Sequence, residues 1–290
     1  MKELLLHTDQ LSKIYKDVPV LDHINMTLYK GDIYGLIGKN GAGKTTFIRT
    51  ITKLIPKTSG SFICPNPDIK MGAVIEGPAL YMDMTARDNL IYCSKLKECY
   101  RKEKIDRILA FVGLENTGKK KVRDFSLGMR QRLGIGISIV NDPEFLILDE
   151  PINGLDPVGI VEIRNVIKRI NRELGTTILI SSHILSELEM VATRYGIIHQ
   201  GKMIKELSRE ELEDEISSYA QLETSDNQQA LQIIQEEEDV TVKGEQLCFR
   251  ASRETCKRIG RRLLQENIAV YQLQLMQTDL EDYFLHLIEA

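Results

Sequence analysis

The sequence has no stretch approaching the roughly 18 apolar residues that a membrane-crossing helix needs, so the chain alone is not expected to cross a bilayer. No signal peptide is expected either. The apolar run in MKELLLHTDQ is far too short for a signal peptide. None of the five cysteines, Cys64, Cys93, Cys99, Cys248 and Cys256, forms a CxxC pair, and no histidine cluster accompanies them. A cysteine-based metal site is thereby excluded, and the expectation is reduced, mostly buried thiols in a cytosolic protein. A strong charge of one sign is also missing. Lys plus Arg number 38 against 42 Asp plus Glu, a net charge of −4, which argues against a protein that coats nucleic acid. The densest basic patch, Lys119-Lys120-Lys121 with Arg123, reads as a solvated loop. There is no internal repeat and no low-complexity tract.

What is present is 290 residues with 42% hydrophobic content, enough for one large core or two smaller ones. Residues 1–32 alternate apolar and polar positions around turn residues, which predicts short antiparallel strands. Ile33–Ile37 is an apolar strand, followed by a glycine-rich loop and a helix over Thr45–Ile55. Residues 85–113 read as helical, with Leu90, Ile91, Ile105, Ile108, Leu109 and Val112 on the apolar face. Phe145–Leu148 and Thr177–Ile180 are further buried strands. Strands alternating with helices predict an α/β core with a largely parallel sheet, whose ligands sit beyond the carboxyl ends of the strands. After Gly201 the character changes. An acidic helix at 208–218 precedes strands at 219–224, 240–242, 246–250 and 270–275 and helices at 228–238, 255–265 and 280–288. A nucleotide-binding domain at 1–218 and a small α+β domain at 219–290 are therefore expected.

Gly38-Lys39-Asn40-Gly41-Ala42-Gly43-Lys44-Thr45 fits GxxxxGK[ST] between a strand and a helix. Its glycines allow a tight backbone that turns several N–H groups toward a β-phosphate. Lys44 reaches the β/γ oxygens and the Thr45 hydroxyl can bind Mg²⁺. The strand ending at Leu148 delivers Asp149 and Glu150 to the same sheet edge. Asp149 suits a second Mg²⁺ contact, and Glu150 can accept a proton from attacking water. His183 follows another strand and could donate to a γ-phosphate. A second anion site stands in FSLGMRQRLGIG, where Ser126 and Gly128 open a helix.

The phosphate loop, FSLGM, LILDE, NGLD and SSH occur in the order seen in the ATP-binding cassette family, which residues 4–215 resemble. The resemblance implies a P-loop NTPase core with an N-terminal antiparallel β subdomain and a helical subdomain at about 78–140. It implies ATP and Mg²⁺, with Asn40, Ala42 and Thr46 joining the rest of the phosphate loop on the nucleotide and Tyr15 stacking on adenine. It also answers why there are two anion sites. Cassettes of this family pair head to tail, so Ser126, Leu127, Gly128 and Met129 would serve the ATP of a second cassette, and Asp156 matches the acid of the D-loop. Such self-complementarity implies a homodimer or a pair of close homologues. Hydrolysis would then let the halves part.

The chain departs from the family at two places. Leu127 replaces the first glycine of the signature and Met129 its glutamine, losses that Arg130 or Gln131 could make up. Glu76 stands where the family usually has glutamine. A carboxylate there would bind Mg²⁺ more strongly and repel an unmetallated phosphate, or is a simple substitution. The acidic loop, PALYMDMTARDNL, SLGMRQRL and LDEPINGLDPVGI resemble the ATPase subunits of bacitracin and lantibiotic-type peptide-antibiotic exporters. Those work on the cytoplasmic face of the membrane with separately encoded transmembrane permease subunits. Tyr81, Met82 and Met84 would line a permease groove or pack in the core. Two other readings compete. A soluble cassette acting on DNA or the ribosome usually has two cassettes or a long coiled-coil insertion. A regulatory module that only senses ATP would not need Glu150 and His183.

Overall fold

Two long strands open the chain, β1 (Leu4–Tyr15) and β2 (Val18–Tyr29), each of 12 residues, joined by a tight turn. They are longer than the short strands the alternation suggests, because register shifts along β1 absorb the breaks in the pattern. In this computed structural model, residues 2–215, 218–235, 238, 240–244, 246–277 and 280–289 are described. The chain divides into two compact units, Met1–Arg209 and Glu210–Ala290.

The first unit continues with β3 (Ile33–Ile37), α1 (Lys44–Ile51), β4 (Ser59–Ile63) and β5 (Met71–Val74). Helices α2 (Ala86–Leu96), α3 (Lys102–Phe111) and α4 (Leu127–Ser138) follow, then β6 (Phe145–Asp149), α5 (Pro157–Leu174), β7 (Thr177–Ser182), α6 (Leu185–Glu189), β8 (Arg194–His199) and β9 (Lys202–Ser208), after which α7 (Arg209–Glu215) begins the second unit. β1 lies between β2 and β4 in an antiparallel sheet. The second sheet runs β5-β6-β7-β3-β8-β9, parallel except for the β8–β9 pair. Every residue of β3, β6 and β7 is buried, as strands covered on both faces must be. One apolar core joins β1, β2, α1 and the sheet through Leu11, Leu21, Met26, Leu36, Phe47, Phe145 and Leu179.

The structure corrects several boundaries. The helix expected over 85–113 is two helices, because Glu98 takes φ +53 after the C-cap at Lys97 and the polar segment to Arg101 breaks the periodicity. α1 stops at Ile51 rather than Ile55. The segment after Gly201 does not leave the core at once, since β9 pairs with β8. Only Cys248 among the five free cysteines is buried; the others are half-buried, a correction to mostly buried thiols.

The second unit contains β10 (Ser218–Thr224), α8 (Asn227–Gln235), β11 (Val240–Lys243), β12 (Gln246–Arg250), α9 (Arg253–Gln265), β13 (Val270–Gln277) and α10 (Leu280–Glu289). From β10 to β13 this is a βαββαβ arrangement with sheet order β11-β12-β10-β13, a ferredoxin-like pattern. Ala220, Leu222, Leu247, Phe249, Ile259 and Leu263 form its core. The expected helices at 208–218 and 228–238 include residues 216, 217, 236 and 237, which lie outside the described residues.

Candidate functional site

The carboxyl ends of β3, β6 and β7 lie side by side, with β3 paired to β7 and β7 to β6. This adjacency brings together segments far apart in sequence. The loop after β3 is held close by its neighbours. A Cβ on Gly38 would lie 2.6 Å from the Ile198 carbonyl, so no other residue fits without a shift. Gly43 takes φ +109, with Val20 of β2 against it. It caps α1 without any side-chain hydrogen bond, so the first N–H groups of α1 face the loop uncapped. An uncapped N-terminus beside a buried ammonium is an anion site. Lys44 is only 5% exposed, and its Nζ donates to the Gly38 carbonyl at 2.5 Å and the Lys39 carbonyl at 3.3 Å. Asn40, Gly41, Ala42 and Thr46 lie in the same loop and first turn.

Around Lys44 the expected acids gather. Glu150 Oε1 lies 3.1 Å from Lys44 Nζ. This is a charge contact without hydrogen-bond alignment, since that buried oxygen has no hydrogen-bond partner. His183 Nδ1 lies 2.8 Å from Glu150 Oε2. With the carboxylate ionised, Nδ1 carries the proton and donates. The backbone of Glu150 sits at φ +49, an uncommon position for a non-glycine residue. Its N–H is held by the Ser181 hydroxyl at 3.0 Å and the Ser181 carbonyl at 3.2 Å.

Asp149 is 3% exposed and accepts from Thr45 Oγ1 at 2.8 Å and Ser181 Oγ at 2.5 Å. Hard oxygens from Thr45 and Asp149, set beside the phosphate loop, fit a magnesium ion that keeps waters and phosphate oxygens for its other positions. Among the described residues no cluster of three or more His, Cys, Asp and Glu could hold a metal unaided. Ser181 is the residue the motifs did not single out. Its one signal was its place in the strand end between β7 and His183.

Glu76 meets the phosphate-binding helix α1. It lies two residues beyond β5 at φ +59, and its carboxylate is held by Arg49 of α1 at 2.5 Å. Arg49 was also missed, although it stands four residues after Thr45 and so on the same helical face. Tyr15 ends β1 with its ring 44% exposed and Lys13 Nζ 4.7 Å from the ring centroid. Its hairpin reaches the phosphate loop through Val20.

The second anion site is built as the sequence suggests. Ser126 caps α4 by accepting from the Met129 N–H at 3.2 Å. Gly128 packs near Leu155 and Gly159, and Leu127 is exposed and lies beside Gly154. The segment containing Asp156 is thus attached to the start of α4. Asp156 itself caps α5, accepting from the Gly159 N–H at 3.0 Å. Arg130 donates to the Phe125 carbonyl at 2.9 Å and Gln131 is buried, so both side chains are engaged within the chain. Tyr81 and Met82 are exposed, Met84 is half-buried, and Tyr81 meets Tyr92 edge to face at 4.7 Å. No helix among the described residues is long and apolar enough to cross a membrane.

The profile of the ABC transporter family matches residues 21–153. The chain is 38% identical over 98% of its length, and 97% of the other's, to the bacitracin transport ATP-binding protein BcrA of Bacillus licheniformis. It is 46% identical to the lantibiotic transport ATP-binding protein SrtF of Streptococcus pyogenes, covering 70% of this chain and 90% of that one. Among solved structures, cbiO1 from Clostridium perfringens, part of the ABC transporter complex cbiONQ, superposes with a TM-score of 0.67 at 25% identity. That match covers 74% of this chain and 92% of that one.

Proposed function

The chain belongs to the ABC transporter family, and we propose that it is the ATP-hydrolysing motor subunit of an exporter that removes peptide antibiotics of the bacitracin or lantibiotic type from the membrane. The observation that carries the reading is the joined set Lys44, Glu150 and His183 at the end of the sheet. It supports hydrolysis rather than nucleotide sensing alone, since a carboxylate held by an imidazole is what water activation needs.

In this reading Lys44 and the uncapped N–H groups of α1 hold the β- and γ-phosphates, and Tyr15 covers the base. Thr45 and Asp149 hold Mg²⁺, which when bound neutralises phosphate charge and polarises the transferred group. Ser181 donates to Asp149 and fixes the backbone of Glu150. Glu150 accepts the proton of the attacking water, while His183 orients that carboxylate through Nδ1 and leaves Nε2 for the γ-phosphate. Ser126 and Gly128 offer the start of α4 to the nucleotide of a second cassette, identical or closely related, and Asp156 speaks across that pairing. Separately encoded permease subunits hold the pair at the cytoplasmic face of the membrane, with Tyr81 and Met82 toward them. Residues 1–218 act as the nucleotide-binding domain and 219–290 as a separate small domain.

The test is reconstitution in an antibiotic-sensitive host together with the permease subunit that this reading requires. Wild-type protein should raise the tolerated concentration of bacitracin or a lantibiotic, and Glu150→Gln should not. Equal protection by both, with no phosphate release by the purified complex, would refute the motor role.

A further inference from the structure

The carboxylate of Glu76 raises an electrostatic problem, because the loop that carries it follows β5, and β5 pairs with the strand that ends in Asp149. A negative charge near a bound polyphosphate is unfavourable unless something answers it. The structure contains the answer. Arg49 Nη2 lies 2.5 Å from Glu76 Oε2, and among the described residues it is the only ion-pair partner of that carboxylate. Arg49 is in the last turn of the helix whose first turn carries Lys44 and Thr45. Four residues separate Thr45 from Arg49, so both stand on one face of α1. The loop also needs holding. Glu76 and Gly77 take φ +59 and +125, a consecutive pair of positive angles that local sequence does not stabilise for glutamate.

We propose that Arg49 is a positioning residue, the counter-ion that ties the Glu76 loop to the phosphate-binding helix and keeps the charge of Glu76 off an anionic nucleotide. The pair is accessible to solvent, with 40% and 58% of the two side chains exposed, so it is a tether that salt weakens and a divalent cation can compete for. Glutamine at position 76 would lack the charge that makes the tether. The proposal rests on the nucleotide-binding reading of the phosphate loop, and two independent measurements keep the two apart.

The first is the affinity for a fluorescent ATP analogue, measured in EDTA and again in Mg²⁺, for wild type, Arg49→Gln, Glu76→Gln and the double variant. Arg49→Gln should weaken binding in EDTA about two- to five-fold, the range of a solvent-screened pair, and Mg²⁺ should close most of the gap. In the Glu76→Gln background Arg49→Gln should change nothing. The second is amide exchange of residues 73–78 without nucleotide. Each single variant should exchange faster there, and the swap Arg49→Glu with Glu76→Arg should regain protection. Equal weakening by Arg49→Gln in both backgrounds, or a swap that exchanges as fast as the singles, would overturn the proposal. Failure of wild type to bind the analogue at all would instead sink the nucleotide reading, while amide exchange would still decide the tether.

Discussion

The two units bury apolar surface by the same rules but differ in what else they bury. In the first, Lys44 and Asp149 are almost wholly enclosed, beside Asp32, Lys13 and Gln131. In the second, the polar residues recorded as buried among those described are Thr224 and Thr255, both neutral. Backbone strain is distributed the same way. Glu150 and Glu76 hold positive φ near the phosphate loop, and eight other non-glycine residues of the first unit do so elsewhere, whereas among the described residues of the second unit only Asn267, in the turn before β13, does. Overall charge also differs, with the first unit rich in Lys and Arg and the second strongly acidic. Buried charge and strain cost stability and persist where surrounding structure enforces them. The meeting of buried Lys44 and Asp149 with the strained Glu150 at one sheet edge marks that edge as the working part, while the ferredoxin-like unit is conventionally packed.

This contrast can be broken by mutation. The largest effect is expected for Glu150→Gln, which should lower phosphate release about 10²- to 10⁴-fold with nucleotide binding retained. The same change at Glu254, on the exposed first turn of α9, should leave release unaltered. Phe249→Ala should destabilise the second unit by about 3–5 kcal/mol, read as a lower urea midpoint for that unit. An equal fall in nucleotide affinity would show that the units are not independent. Ser181→Ala should cost about 1–3 kcal/mol, because it strips a donor from buried Asp149 and an acceptor from the Glu150 N–H. Turnover should fall with it, because Asp149 and Glu150 lose the hydroxyl that joins them. Ser126→Ala is the mildest, removing the cap of α4 at about 1 kcal/mol. Its relative effect on turnover should shrink at high protein concentration, where mass action restores pairing, and a loss independent of concentration would argue against a role toward a second cassette.

Much of the site was readable from residues alone. The glycine loop between a strand and a helix, the acids after LIL, the histidine after SS and the serine cap of α4 are local patterns, and each is settled within a few positions along the chain. The long strands β1 and β2 were harder, since bulges disguise a period of two. The break between α2 and α3 was invisible to a pattern of apolar spacing that carries on through it.

Sequence by itself therefore determined which elements form and which chemical groups stand at their ends, because helix caps, tight turns and strand periodicity are decided by neighbours one to four residues apart. Tertiary structure alone decided that Ser181 would join Asp149 to Glu150, that Lys44 would face Glu150, and that Arg49 would take Glu76. Those partners lie tens of residues apart. What joins them is the order of strands in the sheet, and that order follows from burying all the apolar faces at once.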